Sequence, residues 1–182
     1  MTNKRKTLAG IIGSIVGAAL LFVAIPAEES GRTVDAKVAT DGAVTLRHIA
    51  GPQYLKAYLD IVQVPTACDG ITKGVRIGMR FTEAQCAAKL EDALIVHAEG
   101  VIACVPGLYG RPNQAAAAVS LAYNIGVAGF CRSTAARRFK AGQWRAGCDA
   151  FAMWNRAGGR VVPGLVNRRK RERAMCITGL AA

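Results

Sequence analysis

Between Gly51 and Thr72, in the stretch GPQYLKAYLDIVQVPTACDGIT, two carboxylates and a hydroxyl stand close enough in sequence to share a site: Asp60, Thr66 and Asp69. Acid–base chemistry on a pair of carboxyls requires one to be protonated while the other is ionised. By its neighbours alone, Asp60 reads as a turn residue capping the entry to Ile61–Val64. Asp69 lies three residues from Thr66, and on a regular strand an odd separation puts the two side chains on opposite faces. A bulge or turn at Cys68-Asp69-Gly70 would undo that separation and make Asp69 available as an acid. The remaining candidates are weaker. His48 can carry a proton near neutral pH, but it falls in a stretch that reads as linker. Glu99 ends a helical pattern and reads as a solvated face, while Glu28 and Glu29 follow an apolar run and would need a large refolding to reach Asp60. With two His and no CxxC, no metal site is expected, and no cofactor.

The elements that must position these groups follow from periodicity and punctuation. Leu55, Tyr58 and Leu59 have helical spacing, and Val62, Val64 and Thr66 alternate, so the stretch predicts a helix end, a turn and a short strand pair. Thr82 and Gln85 have the spacing of a capping box, which predicts a long helix from Glu83 through Cys86, Leu90, Leu94 and Val96 to about Gly100. Pro112 is placed to open an Ala-rich helix that continues over Gln114–Ile125. Gly126 and Gly129 permit a tight turn, Ser133 or Thr134 can cap the helix holding Arg137 to Phe139, and Trp144–Trp154 is a further helix. After a turn at Ala157–Gly159, VPGLVNRRKRERAMC predicts a basic closing helix in which Arg168 can pair with Glu172.

Three stretches, AYLDIVQVPTACDGIT, AYNIGVAGFCRST and WNRAGGR…GLVNRRKRERAMC, resemble phage-type lysozymes of glycoside hydrolase family 24, and together they cover about residues 51–180. The family spaces its catalytic groups as E-x8-D-x5-T. Asp60 and Thr66 fit that spacing, but the Glu then falls on position 51, where this chain has Gly51 followed by Pro52. The resemblance implies an α+β, lysozyme-like fold, with a small lobe carrying a short antiparallel sheet joined by a long helix to a larger helical lobe. It implies an endolysin-type muramidase that hydrolyses the β-1,4 bond between N-acetylmuramic acid and N-acetylglucosamine of peptidoglycan. The catalytic set would be Asp60 and Thr66, with Asp69 as the possible substitute acid, and Asn124 would contact the sugar chain. The vacancy at 51 keeps a second reading open, an inactive lysozyme-fold protein that binds the wall or regulates lysis. Because the family packs the Trp144 helix on the closing helix, the resemblance also implies a Cys148–Cys176 bridge; Cys68, Cys86, Cys104 and Cys131 leave three pairings open.

The rest of the chain sets the compartment. Lys4, Arg5 and Lys6 precede an uncharged run from Thr7 to Ile25, about the length that spans a bilayer. It reads either as a signal peptide cut after Ala27 or, as in phage lysozymes of this kind, as a signal-anchor-release segment; the latter is preferred. The expected organisation is an export or membrane segment at 1–27, a linker at 28–48 and the lysozyme-like domain at 49–182. The competing reading of 28–48 is an extra short strand carried by Val34, Val38 and Val44. Localisation is then the host inner membrane and periplasm, where six cysteines favour disulfides. A net charge of +12, with twelve Lys and Arg from Arg132 onward against Asp149 and Glu172, suits an anionic wall or lipid. Export removes nucleic acid as a partner, and the chain is expected to act as a monomer on peptidoglycan.

Overall fold

In the computed structural model, which describes residues 6–181, the apolar N-terminal run does not form one span. Gly13 takes a left-handed conformation (φ 70°) and closes α1 (Leu8–Ile12). Ser14 accepts from the Gly17 amide at 3.0 Å and so caps α2 (Ile15–Glu29). Among the described residues no helix is long and apolar enough to cross a membrane. Leu21, Phe22 and Ile25 of α2 are instead fully buried in the main core, against α4 (described below). Contact is close because Gly17 has no side chain: a Cβ there would come 3.0 Å from the Pro112 carbonyl oxygen.

The expected linker is structured as well. Residues 28–48 contain the end of α2 and most of a hairpin of β1 (Thr33–Val38) and β2 (Val44–Ala50), antiparallel, with Val38 opposite Val44. Ala36, Val38, Val44 and Leu46 pack on the main core, which is the reason this segment orders: it has an apolar face to bury. The strand alternative for Val34, Val38 and Val44 therefore describes the segment, and α1, α2 and this hairpin pack on the main core ahead of residue 49.

The small lobe follows. Leu55, Tyr58 and Leu59 lie in extended chain, not helix; β3 (Tyr58–Leu59) pairs with β4 (Pro65–Thr66), Tyr58 opposite Thr66. Its own small core holds Ala57, Ala67, Ile71, Val75 and the bridge between Cys68 and Cys86. That bridge ties the lobe to α3 (Glu83–Cys104), which starts with the full capping box between Thr82 and Gln85. The larger lobe contains α4 (Pro112–Ile125), α5 (Val127–Arg132), α6 (Thr134–Lys140), α7 (Trp144–Asp149), the hairpin of β5 (Arg156–Ala157) and β6 (Arg160–Val161), and α8 (Pro163–Ile177). The Trp144 helix is shorter than expected and gives way to a 3-10 turn at Ala150–Met153. Ala115 to Ala118 and Val119 to Ala122 of α4 are all buried, so α4 is the axis on which α2, α3 and α8 pack. Trp144 stacks on Phe139 at 5.8 Å and lies 3.9 Å under the Arg111 guanidinium, a packing role for that indole.

The remaining cysteines pair as Cys104–Cys131 and Cys148–Cys176, the latter joining α7 to α8 as the resemblance implied. Loss of a native bridge from a small domain costs about 2–5 kcal/mol. Cys148→Ser and Cys176→Ser should therefore depress the melting temperature by similar amounts, and the double variant by no more than either alone. Additive losses in calorimetry would contradict this pairing.

Candidate active site

The last turn of α2 delivers two adjacent carboxylates, and their surroundings separate them. Glu28 accepts from Arg171 through both oxygens, from Nε at 2.6 Å and Nη2 at 2.7 Å. Burial pushes its carboxyl up, but Arg171, with Arg168 and Arg169 behind it, outweighs burial and holds it below the usual Glu value. Glu28 is thus a fixed anion clamping α2 to α8. Glu29 is held differently. Its Oε1 accepts from Arg168 Nη1 at 2.7 Å, while Oε2 faces Gly70, where a Cβ would stand only 3.3 Å away. Gly70, at φ 78°, is thus a position where the missing side chain leaves room for an acid.

Arg168 is itself buried, although the basic run in which it lies reads as a surface tail. Its Nε donates to Glu172 at 3.1 Å, and Glu172 also accepts from Ser120 Oγ at 2.8 Å and Arg169 Nη2 at 2.9 Å. This network, anchored in α4 and α8, fixes the guanidinium that orients Glu29.

The β3–β4 hairpin carries Asp60 and Thr66. Asp60 Oδ1 accepts from the amides of Val62 (2.9 Å) and Val64 (2.8 Å), so the residue does cap its turn. Thr66 is buried and its Oγ1 donates to the Val64 carbonyl at 3.0 Å. Tyr58, opposite Thr66, joins the two sides: its phenol is pushed up by burial first, then by Tyr54 and by the negative charges of Asp60 and Glu29. Its hydroxyl is therefore within electrostatic reach of both carboxylates. Tyr123 closes the back, donating to the Asp69 carbonyl at 3.3 Å; burial, and then Glu29, push its phenol far up.

Asp69, the possible substitute acid, is held in a buried ion pair. It is almost completely buried, accepts from Arg32 Nη2 at 2.9 Å and from Ser30 Oγ at 2.8 Å, and so spends both oxygens on the chain that follows Glu29. His48 sits in β2 with its amide on Glu83 of α3, and Glu99 pairs with Lys6. Asn124 is at the surface with its Oδ1 held by Arg169 Nη1 at 3.1 Å, which orients the amide.

Gly51, where the family spacing puts a Glu, stands at a close approach of two chain segments. Gly51 has φ 88°, and a Cβ there would come 2.5 Å from the Gly31 carbonyl oxygen. The β1–β2 hairpin leaves the chain at Gly31–Arg32 and returns to the same place at Gly51. Position 51 is thus beside the segment that leaves α2, two residues beyond Glu29. Gly51→Glu should not raise wall hydrolysis; both the left-handed backbone and the collision with Gly31 predict a fall in stability of about 1–3 kcal/mol. A thermal melt beside a clearing assay checks both, and a gain in clearing would contradict it.

Residues 51–172 match the phage lysozyme family model. A SAR-endolysin of bacteriophage PS119 is 35% identical over 132 residues, 72% of this chain and 78% of the relative. The endolysin of Salmonella phage P22 is 31% identical over 147 residues, 78% of this chain and 99% of the relative. Among solved structures, a P22 lysozyme mutant has 34% identity and a TM-score of 0.61 over 69% of this chain and 88% of that one. The active form of the P1 phage endolysin Lyz, at 22% identity, shares the fold over 96% of this chain and 93% of its own, with a TM-score of 0.71. The extent of the family match and these identities place the chain in one family. It belongs to the phage lysozymes.

Proposed function

We propose that this chain is an endolysin-type muramidase in which Glu29 is the proton donor, Asp60 the second carboxyl and Thr66 a positioning hydroxyl. The observation that carries the reading is the placement of Glu29, with one oxygen on Arg168 and the other at Gly70, near enough to Tyr58, the strand partner of Thr66, that this phenol feels the charges of both Glu29 and Asp60. A glycosidase of this kind protonates the leaving oxygen with one carboxyl while the other, ionised, faces the sugar from across the cleft. Tyr58 is close enough to feel both charges, Tyr123 lies near Glu29, and Asn124 contacts the saccharide through its oriented amide. The non-catalytic alternative drew its force from a missing carboxyl, and Glu29 supplies one.

Purified protein should clear a suspension of cell wall, and Asp60→Asn should abolish clearing while retaining the melting temperature to within a few degrees. Wild-type protein that binds wall without releasing reducing sugar ends would sink the enzyme reading and favour the binder.

The body acts outside the cytoplasm. Three disulfides, the Lys4–Lys6 cluster ahead of an apolar run, and relatives named SAR-endolysins support this. The run from Thr7 to Ile25 would serve export first and then pack as α1 and α2. Residues 1–45 fused to a reporter active only outside the cytoplasm should give signal; a silent fusion would refute export by this segment.

A further inference from the structure

The small lobe ends in an apolar turn tip next to Asp60. Ile61 is 99% and Val62 69% exposed at the tip of the β3–β4 turn, with Leu59 and Val64 exposed at its base. An aliphatic pair held fully in water on a floppy loop would mean little. This turn is braced: the amides of Asp60 and Gln63 donate to Val64 O (3.1 Å) and Asp60 O (3.0 Å), and those of Val62 and Val64 to the Asp60 carboxylate. The tip thus presents two aliphatic side chains while the amides of Asp60, Val62, Gln63 and Val64 are satisfied from within, which lowers the cost of entering an apolar phase. A second turn lies beside it, since the Ala57 amide donates to Met79 O at 2.9 Å and Lys56 bridges Arg80; this turn exposes Ile77 and Met79.

Charge identifies the partner. Lys56, Lys73, Arg76 and Arg80 are exposed, and among the described residues they form no ion pair with a carboxylate. The acids of this lobe are turned inward, Asp60 onto its own turn and Asp69 onto Arg32. We propose that the tip of the small lobe docks on an anionic lipid surface, Ile61 and Val62 entering the acyl boundary and Lys56, Lys73, Arg76 and Arg80 meeting the head groups. A saccharide is the poorer fit, because sugars favour aromatic faces and the aromatic at hand, Tyr54, is packed at a tilt against Tyr58, ring centroids 4.8 Å apart. This contact is separate from α1 and α2, which lie packed on the core.

The test is flotation of the full chain, disulfides intact, with preformed vesicles of phosphatidylglycerol and phosphatidylcholine, against vesicles of phosphatidylcholine alone. Wild-type protein should float with the anionic vesicles and not with the neutral ones. Ile61→Ser with Val62→Ser, and separately Lys73→Gln with Arg76→Gln, should each reduce flotation by about tenfold or more, with melting temperatures showing that both variants fold. Val16→Ser with Val23→Ser, at exposed positions of α2, should leave it unchanged. The proposal is overturned if wild type does not float, if flotation ignores lipid charge, or if the α2 variant and not the tip variant loses it. It is equally overturned if the tip variant keeps vesicle binding but no longer sediments with purified sacculi, which would assign the tip to the wall. None of these readouts depends on hydrolysis, so a failed activity assay leaves the outcome intact.

Discussion

Glu29→Gln should lower wall clearing by about 10²–10⁴-fold, the usual contribution of a general acid, in a protein that still folds. The amide is isosteric and can still accept from Arg168, whose guanidinium also has Glu172 as a partner. The stability change should therefore stay within about 1–2 kcal/mol, the range of a single hydrogen bond. The neighbouring carboxylate is the internal control. Glu28→Gln removes the bidentate pair with Arg171, whose side chain is 60% exposed, so most of the activity should survive. Clearing assays on both variants, with reducing-sugar release as the chemical readout, separate the two. Equal activity in Glu29→Gln and wild type would remove Glu29 from the mechanism, and loss on Glu28→Gln alone would exchange the roles.

Much of the scaffold could be read from local chemistry. Thr82 and Gln85 announced α3, Pro112 opened α4, and Ser133 capped α6, because a cap or a proline at the first position is decided within four residues. The Cys148–Cys176 bridge came from likeness to a family; spacing alone left the other pairings open. The proposed acid, Glu29, is hidden by topology. Counting E-x8-D back from Asp60 arrives at Gly51, and in space Gly51 does lie against Gly31, two residues beyond Glu29. With Glu29 as the proposed proton donor, the inserted hairpin lengthens its separation from Asp60 in sequence while Gly51 still packs beside the end of α2. The insertion carried its own signal: Val34, Ala36 and Val38 alternate, Asp41-Gly42 is a strong turn dipeptide, and Val44 and Leu46 resume the alternation. The same holds for α2. Its hydropathy fits a bilayer, but hydropathy cannot distinguish a lipid partner from the buried face of Ala-rich α4, and only Gly13-Ser14 marks the break into two short helices. Arg168 and Arg169 were obscured for the opposite reason: a run of like charge reads as solvated, and burial of these two depends on Glu29, Glu172 and Ser120, which lie far apart in sequence.

Asp69→Asn should be the most destabilising single polar change in the small lobe, and it should cost stability rather than chemistry. The carboxylate is paired with Arg32 at 2.9 Å, and both side chains are at most 3% exposed. Removing one charge from a buried pair leaves the other uncompensated and costs about 3–5 kcal/mol. Asn keeps the shape and can still accept from Ser30, and Glu83 stands 3.6 Å from Arg32, so the lower end of that range applies. For a chain of this size each kcal/mol shifts the melting temperature by about 2–4 °C, which predicts a fall of roughly 6–12 °C. Because Ser30 and Arg32 directly follow Glu29, the lost pair also loosens the end of α2, and clearing should fall modestly at low temperature and more steeply as the melt begins. Replacing the pair together, Arg32→Met with Asp69→Leu, should recover part of the lost stability, since a well-packed apolar pair avoids desolvating two ions. Abolished clearing in a fully folded Asp69→Asn protein would instead identify Asp69 as the proton donor, and the assignment of Glu29 would fall with it.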